Sequence, residues 1–70
     1  MQLKRDKSVA RLFGISVESL RLYLRKGTPA GSSVDFSKIR HFKIGAQRRW
    51  LRSDCVKEAQ RLGIVVPPNF

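Results

Sequence analysis

Between Val17 and Lys26 the chain places Glu18, Ser19, Arg21, Arg25 and Lys26, side chains whose hydrogen-bonding groups match the base-pair edges or phosphates of DNA, with Leu22 among them. Arg21 and Arg25 can donate to guanine O6 and N7 or to phosphate, Ser19 can donate or accept, and Glu18 can accept from cytosine N4. Leu22 stands inside this charged set, where contact with a thymine methyl group accounts for an apolar side chain. Its bland alternatives are packing beneath the loop that follows, or simple exposure. Glu18 also has two readings, a base contact or a partner that orients Arg21 or Arg25. A second group of donors, Lys43, Gln47, Arg48 and Arg49, suits phosphates or the negative potential of a minor groove.

Other chemistry has little to build on. A single cysteine, Cys55, excludes an internal disulfide, and with the single histidine, His41, it cannot complete a four-ligand zinc site. Cys55 is expected to be a small core residue. As a nucleophile it needs a base, and His41 lies on a basic stretch with no carboxylate to orient it. The acids Asp6, Glu18, Asp35, Asp54 and Glu58 are spread along the chain, and no pair is expected to hold Mg²⁺. The expectation is a protein that is not an enzyme and needs no cofactor or metal.

The elements that must position these residues follow from periodicity. Residues 6–13 read as a short helix, with Asp6 as N-cap and Val9, Leu12 and Phe13 on one face. Gly14 ends it, and Ser16 caps a second helix over 17–26 that stops at Gly27. Two short helices joined by Gly14-Ile15-Ser16 carry the helix-turn-helix signature. At 100° per residue, Leu20, Tyr23 and Leu24 share the inner side of the second helix, with Val17 at its edge. Glu18, Leu22 and Arg25 centre the outer side, flanked by Ser19, Arg21 and Lys26. Residues 27–37 form a loop. A hairpin over 40–52 follows, with Phe42 and Ile44 on one face, His41 and Lys43 on the other, and a turn at 45–48. Trp50 is expected to anchor this hairpin to the helices. Ser53 is the expected N-cap of a third helix over 54–62, with Asp54 in its first turn and Val56, Ala59 and Leu62 as its stripe. The apolar tail, 64–70, covers the core or contacts a partner.

Composition agrees with a polyanionic partner. Fifteen Lys and Arg against five Asp and Glu give a formal net charge of +10, which destabilises a compact fold by self-repulsion. Basic residues outnumber acidic ones in 1–26 and again in 27–70, so the excess belongs to the folded body and not to an arm. Seventy residues, 41% apolar, suffice for one small core and leave no volume for a substrate-enclosing pocket. No apolar run approaches the ~20 residues of a membrane span, and the N-terminus lacks a signal-peptide pattern. A cytoplasmic protein that makes no membrane contact is expected.

Ser8-Val-Ala-Arg-Leu-Phe-Gly-Ile-Ser16, followed by Val17-Glu-Ser-Leu-Arg-Leu-Tyr-Leu-Arg-Lys-Gly27, resembles the opening of the excisionase and AlpA-like winged-helix proteins, relatives of the MerR-type DNA-binding domain. Phe42-Lys-Ile-Gly45 and Arg49-Trp-Leu-Arg-Ser-Asp54 resemble that family's wing and the start of its next helix. The loop at 27–37 is longer than the family's usual one. The resemblance implies a mainly α winged helix-turn-helix domain, with a small β-hairpin, over 1–70. It also implies double-stranded DNA as partner, a recognition helix in the major groove and a basic wing on phosphates or the minor groove. Family members of this kind serve phages and mobile elements as excision factors, bind repeated sites cooperatively and assist an integrase; others regulate transcription. A small terminase subunit's DNA-binding domain shares the fold. RNA is a weaker partner, because its deep, narrow major groove excludes a reading helix.

Overall fold

The structure, a computed structural model, describes residues 2–70. Its order is β1 (Leu3–Arg5), α1 (Asp6–Leu12), α2 (Val17–Lys26), a single 3₁₀ turn (Phe36–Lys38), β2 (His41–Ile44), β3 (Gln47–Leu51) and α3 (Arg52–Arg61). The strands form an antiparallel sheet in the order β1-β3-β2. The architecture is α+β, with more sheet than the expected hairpin. β1 is the addition: Leu3, Lys4 and Arg5 pair with Leu51, Trp50 and Arg49. Three residues are too few to show a strand period, and the pairing partners lie more than forty residues away.

The boundaries of α1 and α2 are set by local chemistry. Gly14, at φ 71°, lets the chain leave α1 in the left-handed conformation. Its N–H donates to the Arg11 carbonyl and that of Ile15 to the Ala10 carbonyl, the paired bonds of a Schellman ending. Ser16 caps α2, its Oγ accepting from the Ser19 N–H at 3.0 Å.

Three other expected boundaries move. Asp6 is the first residue of α1 and not its cap; Arg5 holds the cap position, and the Asp6 carboxylate turns to the sheet. Ser53 does not cap α3, because β3 runs straight into that helix. The cap position falls on Leu51, which has no capping side chain, and the Arg52 N–H donates to the Gln2 carbonyl at 3.0 Å. The hairpin turn is shorter than 45–48: Ile44 pairs with Gln47 around Gly45–Ala46. Gly45 takes φ 64°, which fits a two-residue turn with glycine at its first central position.

The core is built on Val9, Leu20, Ile39, Trp50, Cys55 and Ala59, each at most 1% exposed. Trp50 anchors the sheet to the helices as expected. Burying a side chain of that size contributes about 4–6 kcal/mol of gross hydrophobic free energy. Phe36, from the long loop, is a central contact: its ring meets Phe13 edge-on at 5.7 Å, Trp50 at 6.1 Å and Tyr23 at 6.4 Å. The buried face of α3 is rotated toward Cys55 and Ala59, with Val56 and Leu62 only partly covered. Two acids enter that face because each has partners. Asp54 accepts from the Arg40 guanidinium at 2.7 Å and the Arg40 N–H at 3.1 Å. Glu58 accepts from Arg61 and from the Asp35 N–H at 2.9 Å. The tail packs on the core through Ile64, Val66 and Phe70, while Val65 points outward.

Candidate nucleic-acid interface

α2 presents the two sides its sequence periodicity requires. Leu20 is fully buried and Tyr23 and Leu24 are half-buried, packed against the core. Glu18, Arg21, Leu22, Arg25 and Lys26 are exposed. Val17 is half-buried at the edge. Ser19 is also half-buried, and its hydroxyl accepts from Ser16 Oγ at 3.0 Å, so it belongs first to the cap. Leu22 is 39% exposed and does not pack beneath the 27–37 loop as a core residue.

The acids separate sharply. Asp6, Asp54 and Glu58 each accept hydrogen bonds from other parts of the fold, and Asp35 accepts from Ser37 within its own turn. Among the described residues Glu18 is the one acidic side chain with neither an ion pair nor a hydrogen bond. It therefore does not orient Arg21 or Arg25. Arg21 leans toward Asp6 instead, Nε to Oδ2 at 3.6 Å.

The hairpin departs more from its sequence reading. Lys43 and Gln47 are exposed, but Arg48 and Arg49 are half-buried and engaged. Arg48 donates to Asp6 Oδ2 at 3.2 Å, and Arg49 folds back onto the Arg48 carbonyl and Gln47 Oε1. Those two arginines sit where the hairpin meets α1 and are not free donors at its tip. Phe42 and Ile44, 45% and 58% exposed, project there instead. The register explains why. Across a two-residue turn His41 faces Trp50 and Phe42 faces Arg49, so His41 shares the inward side with Trp50 and Phe42 is turned out. The His41 ring lies 4.6 Å from that of Trp50 while its edge stays in solvent. Counting residues back from a Gly-Ala turn gives this register from sequence; a longer turn conceals it.

Asp6 is the structural link that the sequence does not expose. It joins Trp50 Nε1 at 2.6 Å, Arg48 and Arg21, and so links α1, β3 and α2. Nothing local marks an acid at a helix start for that role, since the same residue suits a cap or the helix dipole.

Cys55 is enclosed, and burial pushes its thiol up to about 12, which removes it as a nucleophile at neutral pH. Among the described residues no cluster of three His, Cys, Asp or Glu side chains is placed to hold a metal ion, and no helix is long and apolar enough to cross a membrane. No family model, curated protein or solved structure matches the chain.

Proposed function

We propose that this chain is a winged helix-turn-helix module that binds double-stranded DNA in a sequence-specific way, with α2 in the major groove and the β2–β3 hairpin as wing. The observation that carries the reading is Glu18. A carboxylate with no internal partner, on the exposed face of a helix in a chain of net charge +10, weakens any purely electrostatic attachment to phosphate. It gains a purpose when it accepts from cytosine N4, with Arg21 and Arg25 donating to guanine and Leu22 against a thymine methyl. Lys26 and Lys43 then supply phosphate contacts that position the helix.

Selection from a random duplex library tests this. The expected result is enrichment of one motif containing G·C pairs, with scrambled duplex bound far more weakly. Recovery of the starting sequence distribution overturns it.

The narrower role best supported is that of an excision factor, a DNA-architectural protein of a phage or mobile element working in the bacterial cytoplasm beside an integrase. Its support is the wing, whose leading side chains, Phe42 and Ile44, are apolar. Apolar side chains entering a minor groove unstack base steps and kink the duplex by 20–90°. Binding several such sites side by side, with cooperative self-association, would curve DNA for recombination. A regulator of transcription needs no bend. Circularly permuted fragments carrying the selected site should therefore migrate according to site position; uniform migration favours the regulator.

A further inference from the structure

Five cationic side chains from separate elements line one open cleft: Arg5 and Lys7 where β1 passes into α1, Arg21 on α2, and Arg48 and Arg49 on β3. Asp6 is the single acid among them. Its carboxylate is committed within the fold, to Trp50 Nε1 at 2.6 Å and to Arg48 at 3.2 Å, with Arg21 at 3.6 Å. Among the described residues Arg5, Lys7 and Arg49 have no carboxylate within 4 Å. Like charges gathered in a concave wall repel one another and focus a positive potential into the space they face. The sequence placed Arg48 and Arg49 with the wing and assigned nothing to Arg5; folding brings them together with Lys7 and Arg21.

We propose that this cleft is a seat for one phosphate group, and that on duplex DNA it takes a single backbone phosphate between the groove read by α2 and the groove met by the wing. Guanidinium groups approaching from two elements suit a phosphate, whose oxygens accept from several directions, better than a planar carboxylate held by one fork. Position favours the backbone as its source: Val17, at the start of α2, and Gln47, beside the hairpin turn, complete the wall, so the seat lies between the two surfaces assigned to base and groove contacts. Asp6 is a positioning residue in this arrangement. By holding Arg48 and drawing in Arg21 it makes the seat depend on the spacing of α2 and β3, and its own charge is largely compensated by those partners. The duplex assignment rests on the DNA-binding reading; the anion seat rests on the cleft alone.

One comparison separates the two. Wild-type protein and the variant Arg5→Gln/Lys7→Gln are titrated with inorganic phosphate at low salt, following backbone amide resonances. The expected result is a saturating shift at Arg5, Lys7, Arg21, Arg48 and Arg49, with saturation at Arg21, Arg48 and Arg49 lost in the variant. Equal, unsaturated drift at every Lys and Arg overturns the seat. Lys7→Gln alone, outside the strand, repeats the test without touching β1. The same proteins are then bound to one duplex across a salt series. The expected log–log slope is shallower by about one in the variant, with base preference unchanged. Equal slopes for the variant and for a wild-type protein that does bind duplex overturn the backbone assignment. Saturating phosphate in a wild-type protein that binds no duplex assigns the seat to free phosphate and removes the DNA reading.

Discussion

Trp50 Nε1 donates to Asp6 Oδ1 at 2.6 Å, fastening the middle of β3 to the first residue of α1. The indole is otherwise sealed in the core, and its N–H finds an acceptor only because α1 begins where β1 ends. Buried polar groups without partners are costly, so this one contact couples the placement of the β2–β3 hairpin to that of α1.

Replacing Asp6 with Ala should destabilise the fold by about 2–3 kcal/mol, because it leaves the indole N–H without an acceptor and Arg48 without its partner. In a domain of this size that is a fall in Tm of roughly 8–24 °C. Asp6→Asn keeps an acceptor for Trp50 and should lose less. Thermal melts of both variants check this; equal Tm in wild type and Asp6→Ala would remove Asp6 from any linking role.

Acid should weaken the far side of the molecule. The Arg40 guanidinium and backbone N–H hold Asp54 at about 2, below its ordinary 3.8. Glu58 is lowered from 4.5 by Arg61, and Asp35 is lowered from 3.8 by the Ser37 hydroxyl. A carboxylate whose folded pKa is depressed contributes stability that is complete above its unfolded pKa and is lost as pH falls through the folded one. Stability is therefore expected to be level above pH about 5 and to decline toward pH about 2. Urea midpoints at pH 6, 4 and 2.5 measure it. Asp54→Asn should be less stable at pH 6 and show a shallower decline.

Much of this arrangement is legible in sequence where the signal is local. Gly14, Ser16 and the 3.6 period over 17–26 set the end of α1, the start of α2 and the two sides of α2, since capping and amphipathicity act within a few residues. The hairpin was legible as two strands but not in its outward face, because turn length decides which residues stand opposite Trp50. What escaped was long-range. β1 is three residues completed by a distant partner, Phe36 enters the core from a segment with the composition of a loop, and the side-chain partners of Asp6 lie on α2 and β3. Arg48 and Arg49 show the consequence: two arginines beside a turn read as free donors until a carboxylate from the first helix and a neighbouring carbonyl claim them.

The tail is part of the fold. Phe70 is 9% exposed, with Lys4 Nζ 4.8 Å and the Arg52 guanidinium 5.7 Å from its ring centroid. Cations over an aromatic face at these distances add about 0.5–1 kcal/mol each to the apolar contact. Phe70→Ala should cost about 2–3 kcal/mol, below the range for a fully enclosed Phe because the ring keeps some solvent exposure. Chemical denaturation gives the value. Unchanged stability would detach the tail from the core and return it to consideration as a partner surface.

Leu22 offers the sharpest test of groove reading, because the chemistry it needs can be removed from the DNA. Its side chain is exposed in the centre of the charged face of α2, between Glu18 and Arg25 along the helix. If it meets a thymine methyl group, replacing that thymine by uracil deletes the contact while preserving every hydrogen-bonding group of the base pair. A buried methyl contributes about 0.8 kcal/mol, so wild-type affinity should fall roughly fourfold at one position of the selected site. Leu22→Ala should bind the thymine site more weakly and distinguish thymine from uracil little or not at all. Arg25→Ala, by contrast, should lose about 1–3 kcal/mol and relax preference at a guanine while keeping full sensitivity to uracil. If scanning uracil through the site leaves wild-type binding unchanged everywhere, Leu22 is an exposed leucine and nothing more, and base reading by α2 rests on its charged residues alone.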